Sequence, residues 1–173
     1  MVELERLIYF ILMIEDRSAL RKKTRKEFSA GGIVYRKENN LTEILLILPA
    51  RRNDPLMTKR FIPNWTFPKG WKGDHGDETD EQTAVREVKE EGGVNAQVIK
   101  DLGPVSYFFN WQGENVQKTV HWFLMKYQDG NPSDHDEEVV DAKWVPLGEV
   151  ESKLNYKTDK EVFAKAIKLI NAG

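Results

Sequence analysis

Short apolar runs separated by polar residues follow one another along most of this 173-residue chain. Runs of this kind, rich in β-branched and aromatic residues, are typical of β-strands bounded by turns. They predict strands at 30–35, 43–48, 95–102, 105–111, 118–127 and 142–146. The polar segment between the first two runs is short, which favours direct pairing of those two strands.

Two longer segments have the spacing of amphipathic helices, and they predict helices at 79–93 and 158–171. Each opens with a capping box, Thr79 with Gln82 in the first and Thr158 with Glu161 in the second. The second helix carries an apolar stripe of Val162, Phe163, Ala166, Ile167 and Ile170. Many strands and two long helices in mixed order predict an α+β fold, a mixed α/β/α sandwich.

The N-terminal residues differ in pattern from the rest of the chain. Residues 7–14 are apolar throughout, but a membrane-spanning helix needs about 20 such residues, so no membrane span is predicted. The basic stretch at 17–26 that follows is expected to be a solvated linker, with contact to an anionic surface as the alternative. We therefore predict an N-terminal extension at 1–27 and one domain at 28–173. The apolar segment is expected to pack on the domain or on a second subunit.

Composition excludes several classes of site and partner. The chain has no cysteine, so thiol nucleophiles, disulfides and cysteine-ligated metals are excluded, and a cytoplasmic protein is the expectation. The 26 basic residues nearly balance 28 acidic ones, for a net charge of −2. Such a balance does not favour electrostatic binding of nucleic acid, and no DNA partner is predicted.

Acidic residues crowd the first predicted helix and the turn before it, with eight between positions 74 and 91. At about 100° per residue, Glu87, Glu90 and Glu91 fall within an arc of roughly 100°, so their like charges converge. Such carboxylates suit Mg²⁺ or Mn²⁺, which prefer hard oxygen ligands and keep substrate phosphate oxygens in their shell. The alternative is a solvated helix face with a helpful Arg86–Glu90 pair. The side expected to dock on the sheet carries Ala84, Val85 and Val88.

The segment before this helix favours the metal interpretation. WTFPKGWKGDHGDE, at 65–78, places a short apolar strand, Lys69 and a glycine-rich turn directly in front of the acidic residues. Glycine allows the backbone to approach a ligand closely, and a lysine ammonium is a compact charge suited to phosphate oxygens. Loop, lysine and acidic helix together indicate a phosphate site.

These stretches resemble the Nudix box, whose pattern is Gly, five residues, Glu, seven residues and then Arg-Glu-apolar-any-Glu-Glu-any-Gly-apolar. Glu78, seven residues and REVKEEGGV (86–94) match the second part without a mismatch. Seven residues instead of five separate Gly70 from Glu78, so the loop carries a two-residue insertion. The likeness extends over roughly 28–171, through FSAGGIVYR, KTVHWFLMKY and EEVVDAKWVPLGEV. It implies the Nudix fold, with a mixed central sheet between helices.

The resemblance also implies a chemistry, the metal-dependent hydrolysis of nucleoside diphosphates linked to another group, with Mg²⁺ or Mn²⁺. Metal ligands are implied at Glu87, Glu90, Glu91 and the Gly70 carbonyl. Arg86 would orient these carboxylates, and Glu78 would support the loop and the helix start. The base would be Glu91 or Glu138, and Glu138 is favoured as base or as an additional metal ligand.

Among Nudix enzymes, the chain looks most like the diadenosine tetraphosphate hydrolase branch, which would form ATP and AMP. In that branch a lysine aligned with Lys118 contacts phosphate and a nearby aromatic residue stacks on adenine; Lys69 would bind phosphate as well. Tyr107, Phe109 and Trp111 alternate along one strand, so they share a face that would either stack on a base or belong to the core. The long loop at 50–64, which carries four basic residues, would either reach the far phosphates or lie solvated on the surface.

Other substrates and one other class of protein fit the same resemblance. Diphosphoinositol polyphosphate, ADP-ribose, an oxidised nucleoside triphosphate or capped RNA are alternative substrates. A non-catalytic nucleotide-sensing Nudix module is the alternative outside the enzymes, although such a module predicts a broken box. The expected partner is a small-molecule nucleotide, and the protein is expected to be a monomer or a homodimer.

Overall fold

The computed structural model describes residues 24–50, 64–73 and 76–172. Its strands are β1 (Arg25–Glu38), β2 (Leu41–Pro49), β3 (Lys69–Trp71), β4 (Val94–Trp111), β5 (Glu114–Gly130) and β6 (Val139–Pro146). Its helices are α1 (Asp80–Gly92), α2 (Leu147–Lys153) and α3 (Lys157–Ala172), with a 3-10 turn at Pro132–Asp134. The predicted extension up to residue 23 and the basic part of the 50–64 loop lie outside the described residues, so the division at 27/28 stays a prediction.

The strands form one mixed sheet in the order β4-β5-β1-β2-β6, with β3 paired to β1 off this path. β1 is the centre of the sheet, because it runs parallel to β5 over most of its length and antiparallel to both β2 and β3. The short β3 sets Lys69 opposite Gly31 and Trp71 opposite Ser29. The segment 69–78, which we call the phosphate loop because the sequence predicts a phosphate site there, therefore begins in a strand fixed directly against the centre of the sheet.

Helices cover both faces of the sheet, which confirms the predicted α/β/α arrangement. Alternate residues of β1 and β2 face opposite ways, as the pleat requires. Ala30, Val34 and Leu45 pack against α1 through Ala84 and Val88. On the other face, a larger core joins β1, β2 and β5 to the α3 stripe, with Ile33, Ile44, Leu46, Val162, Phe163, Ala166 and Ile170 buried. Both helices are thus held by apolar faces.

The start and end of α1 follow the predicted signals. Thr79 caps the helix by accepting a hydrogen bond from the Gln82 backbone N–H at 3.2 Å, and the Gln82 side chain accepts from the Thr79 N–H at 2.9 Å. Gly93 ends the helix with φ of 68°, a conformation that favours glycine. A Cβ there would lie 2.3 Å from the Asn131 carbonyl oxygen. The glycine therefore also allows the segment before β6 to approach the helix end.

Several details differ from the sequence predictions. The runs at 95–102 and 105–111 form the single strand β4, with register shifts that absorb Gly103 at φ of 81°. α3 begins at Lys157, so Thr158 lies in its first turn instead of preceding it. Val85 is 38% exposed and does not dock on the sheet. α2 was not predicted, since its seven residues are too short for a periodic pattern. Among the described residues, no helix is long and apolar enough to cross a membrane.

Candidate active site

Arg86 is the centre of an ion-pair network on the side of α1 that faces β3. Its Nε lies 3.0 Å from Glu78 Oε1, and its Nη1 donates to Glu87 at 2.7 Å and to Glu90 at 2.8 Å. Burial acts to lower the pKa of Arg86, but these carboxylates outweigh burial and raise the pKa. Arg86 Nη2 also donates to the Trp71 carbonyl at 3.2 Å. The arginine therefore gathers the carboxylates and ties α1 to the phosphate loop.

Glu87 is a buried carboxylate that depends on a glycine for its space. The residue is 7% exposed, and a Cβ added at Gly70 would lie 2.1 Å from its carboxylate carbon and both oxygens. Burial raises the pKa of Glu87, and the charges of Glu90 and Glu138 add to the rise, while Arg86 opposes it. The Glu87 carboxylate therefore fits against β3 only because Gly70 has no side chain.

Glu91 lies one helical turn after Glu87 and contacts the same loop. Its Oε2 accepts a hydrogen bond from the Lys69 backbone N–H at 2.7 Å. Burial raises the pKa of Glu91 to about 7, against the opposing influence of Lys69 and with reinforcement from Glu87 and Asp136. Glu87 and Glu91 therefore both meet the residues that begin the phosphate loop.

The segment between β5 and β6 brings further acidic residues next to the glutamates of α1. The Asp136 backbone N–H donates to the Glu90 carbonyl at 2.9 Å, and the Asn131 N–H donates to the Gly93 carbonyl at 3.1 Å. These bonds fix the segment against the last turn of α1. Glu138 is exposed and its charge acts on Glu87, so the predicted base and the predicted metal helix are brought together.

The donor set fits a hard divalent cation in chemistry. Glutamate oxygens and a loop carbonyl at Gly70 are the ligand types that Mg²⁺ and Mn²⁺ prefer. Burial raises the pKa of Glu87 and of Glu91, although Arg86 and Lys69 oppose the rise. Within the described ranges, however, no three His, Asp or Glu side chains are gathered as a formed cation site. Glu90 pairs with Arg86 through a side chain that is 40% exposed.

The predicted phosphate-binding lysines lie on the same face of the sheet as α3. Lys69 is half-buried and its Nζ donates to Thr66 Oγ1 at 3.4 Å. Lys118 on β5 pairs with Glu27 of β1 and Tyr107 of β4. Its Nζ lies 5.6 Å from the centre of the Trp71 ring, within the range of a cation–π contact. The sequence analysis did not single out Trp71.

The three predicted aromatic residues share one half-buried face of β4. Tyr107 packs against the larger core, and its ring centre lies 6.0 Å from that of Phe109. Trp111 ends the strand opposite Glu114. Tyr107 therefore contributes to packing, while Phe109 and Trp111 extend away from the core along the edge of this face.

His121 holds the start of α1 to the sheet. Its Nδ1 lies 2.7 Å from Asp80 Oδ2, its Nε2 lies 2.8 Å from Asp101 Oδ1, and its ring stacks on Phe123. Burial acts to lower the pKa of His121, but the two aspartates outweigh burial and raise the pKa. Sequence reasoning missed both this clamp and Asp136, because each depends on residues that are distant along the chain.

Comparisons with known proteins agree with the geometry. The model of the NUDIX domain family matches residues 17–166. The chain is 37% identical over 157 residues to a Mycobacterium tuberculosis protein that carries the mutator-protein name MutT4, covering 90% of this chain and 60% of that protein. It is 35% identical over 105 residues to the 8-oxo-(d)GTP phosphatase of Mycolicibacterium smegmatis, covering 61% of this chain and 30% of that protein. The chain thus spans less than two thirds of either relative.

Solved structures share the fold. The Caenorhabditis elegans Ap4A hydrolase in a binary complex aligns with a TM-score of 0.63 at 23% identity, over 85% of this chain and 99% of that one. The NUDIX domain of Shewanella oneidensis NrtR, solved with ADP-ribose, aligns with a TM-score of 0.65 at 19% identity, over 87% and 92%. Identities this low bear on the fold and leave the substrate open.

Proposed function

This chain belongs to the Nudix family, and from this membership we propose that it is a divalent-metal-dependent hydrolase of a phosphoanhydride bond in a nucleoside polyphosphate. The observation that carries the proposal is the group of glutamates on α1 that lies against the phosphate loop. We call Glu87, Glu90 and Glu91 the acidic cluster. Glu87 is buried there against Gly70, where any side chain would displace it. A purely structural helix gains nothing from a desolvated carboxylate whose pKa is raised.

The proposed roles of the side chains follow from their positions. Glu87, Glu90 and Glu91, with the Gly70 carbonyl, would hold Mg²⁺ or Mn²⁺. When bound, such a cation neutralises phosphate charge and activates water. Arg86 orients Glu87 and Glu90, and Glu78 in turn fixes Arg86.

The remaining residues would bind the substrate and move the proton. Lys69 and Lys118 would hold phosphate oxygens with their ammonium groups, which lie on the α3 face of the sheet, and the charge of Lys69 also acts on Glu91. Water forms a bond to phosphorus as the phosphorus–oxygen bond of the anhydride breaks, and a carboxylate takes the water proton. We assign that carboxylate to Glu138, because it is exposed next to the cluster, with Glu91 as the alternative base.

For the substrate we propose diadenosine tetraphosphate, cut to ATP and AMP. The support is the likeness of the Lys118 strand and the FPKG loop to that branch, together with the aromatic face of Phe109 and Trp111, which would stack on a base. A second candidate is an oxidised nucleoside triphosphate. It is favoured by the two curated relatives, whose names are those of a mutator protein and an 8-oxo-(d)GTP phosphatase.

Product analysis in ¹⁸O-labelled water separates these candidates. The protein is incubated with Mg²⁺ and, in turn, diadenosine tetraphosphate, 8-oxo-dGTP, ADP-ribose and a diphosphoinositol phosphate, with Glu90→Gln as the inactive control. ATP and AMP from the first compound, with one ¹⁸O in a product phosphate, support the first proposal. Preferential turnover of 8-oxo-dGTP supports the second. Absence of metal-dependent turnover in the whole panel contradicts the proposed activity.

A further inference from the structure

Asp159 is a buried acid outside the acidic cluster, on the helix that covers the opposite face of the sheet. It lies in the first turn of α3 and is 5% exposed. Its Oδ2 accepts a hydrogen bond at 2.7 Å from the hydroxyl of Thr66, which is itself 3% exposed. Burial of a charge is costly unless it is paired, so the position of its counter-charge matters.

Lys69 supplies that counter-charge through the hydroxyl. Thr66 has a single hydroxyl proton, and an ionised Asp159 cannot donate, so the proton goes to Asp159. The Thr66 oxygen then presents its lone pairs to the Lys69 ammonium, which donates at 3.4 Å. The three groups form a directed chain from ammonium to hydroxyl to carboxylate.

Lys69 also lies under the influence of the acidic cluster, because its charge acts on Glu91. Two anionic groups on opposite sides therefore attract one flexible ammonium. Without Asp159, only the cluster side would attract it. The chain through Thr66 keeps the ammonium on the α3 side of the phosphate loop.

Several other contacts hold the same part of the fold. A substitution of Asp159 can therefore affect the position of Lys69 without affecting folding. Asn64 donates to the Tyr156 hydroxyl at 3.2 Å, and Asn155 donates to Asn64. Trp65 forms a backbone bridge with Leu154. These contacts join the segment before β3 to the segment that leads into α3 without involving the Asp159 carboxylate. Removing its charge leaves them in place.

We infer that Asp159 is a positioning residue that acts through Thr66 to set the location of the Lys69 ammonium for a substrate phosphate. The inference rests on the proposed function, in which Lys69 binds phosphate. It extends the site to the far helix, since α3 then contributes to phosphate recognition without touching the substrate.

The test is a double-mutant cycle on the full chain. Asp159→Asn removes the charge, Thr66→Val removes the hydroxyl, and Thr66→Ser restores it. Tyr156→Phe is the matched control. It deletes a hydroxyl in the same part of the fold that does not belong to the hydrogen-bonded series Lys69, Thr66 and Asp159. Lys69 would contact phosphate in both ground and transition states, so its loss of position raises KM and spares kcat. We expect Asp159→Asn and Thr66→Val to raise KM about tenfold with kcat unchanged.

In a Lys69→Gln background, Asp159→Asn should have no further effect on KM. An effect of Asp159→Asn that persists without Lys69, or one matched by Tyr156→Phe, overturns the inference.

A readout without substrate separates this inference from the proposed function. In protein labelled with ¹⁵N-lysine, the Lys69 side-chain resonance should shift in Asp159→Asn and Thr66→Val and stay unchanged in Tyr156→Phe. If the protein shows that pattern but hydrolyses no compound of the panel, the proposed activity is contradicted. The contact of Asp159 with Lys69 through Thr66 is still supported. An unchanged Lys69 resonance in Asp159→Asn overturns the positioning itself.

Discussion

Gly70→Ala tests whether the phosphate loop is shaped around Glu87. The added methyl group would lie 2.1 Å from the carboxylate carbon and both oxygens of Glu87. Gly70 does not have a positive φ, so the backbone itself tolerates alanine and the clash is the whole perturbation. Glu87 must move, although it is 7% exposed and held by Arg86 at 2.7 Å.

The expected cost is that of overpacking a closed site. Extra methyl groups in packed interiors cost about 1–3 kcal/mol. For a chain of this size, 2 kcal/mol corresponds to a fall in Tm of roughly 4–8 °C. The same displacement moves a candidate ligand, so the rise in Tm caused by added Mg²⁺ should shrink as well.

Thermal unfolding with and without Mg²⁺ measures both effects. Gly148→Ala in α2 is the matched control, because nothing lies within 4 Å of its added methyl group, and alanine in a helix stabilises by up to about 1 kcal/mol. Glu87→Asp in the Gly70→Ala background shortens the side chain by one methylene group and should recover part of the Tm that Gly70→Ala loses. Equal Tm and equal Mg²⁺ response in Gly70→Ala and wild type would refute the reasoning.

Further predictions concern individual charges. Glu90→Gln should lower activity more than about 100-fold. It should change the free energy of unfolding by less than about 1 kcal/mol, because the pair of Glu90 with Arg86 is partly exposed. Glu81→Gln, in the exposed first turn of the same helix, is the control for both assays. The raised pKa of His121 predicts a stabilisation that is complete below pH about 6.5 and disappears as pH rises through the folded pKa. The Tm difference between wild type and His121→Gln should therefore fall with rising pH, and a constant difference would count against the clamp. Glu138→Gln should lower kcat, whereas Glu137→Gln should not; the reverse result would assign the base to Glu137.

The acidic helix α1 was predictable because its signals are local. Thr79 and Gln82 are near in sequence, and the spacing of Glu87, Glu90 and Glu91 fixes their common face from the geometry of a helix alone. The structure confirms the capping box and the close approach of Arg86 to the glutamates. The α/β/α arrangement followed for the same reason, since the apolar stripe of the last helix requires a sheet to cover.

Contacts between distant segments were not predictable. Thr66 and Asp159 are 93 residues apart, and His121 and Asp80 are 41 apart, so no local pattern links them. The sequence predicted two strands, 95–102 and 105–111, but a register shift in the long pairing with β5 lets one strand pass through Gly103 and Pro104. Tertiary pairing decided these cases over local preference.

The most direct test of the central claim is a titration of the protein with Mn²⁺, followed by electron paramagnetic resonance of the free ion. Wild type is compared with Glu87→Gln and with Glu81→Gln, the same substitution on the exposed first turn of the same helix. The α1 carboxylates account for binding if Glu87→Gln weakens Mn²⁺ affinity by at least about tenfold while Glu81→Gln matches wild type. Equal affinity in all three proteins would contradict the assignment of the acidic helix as the metal site.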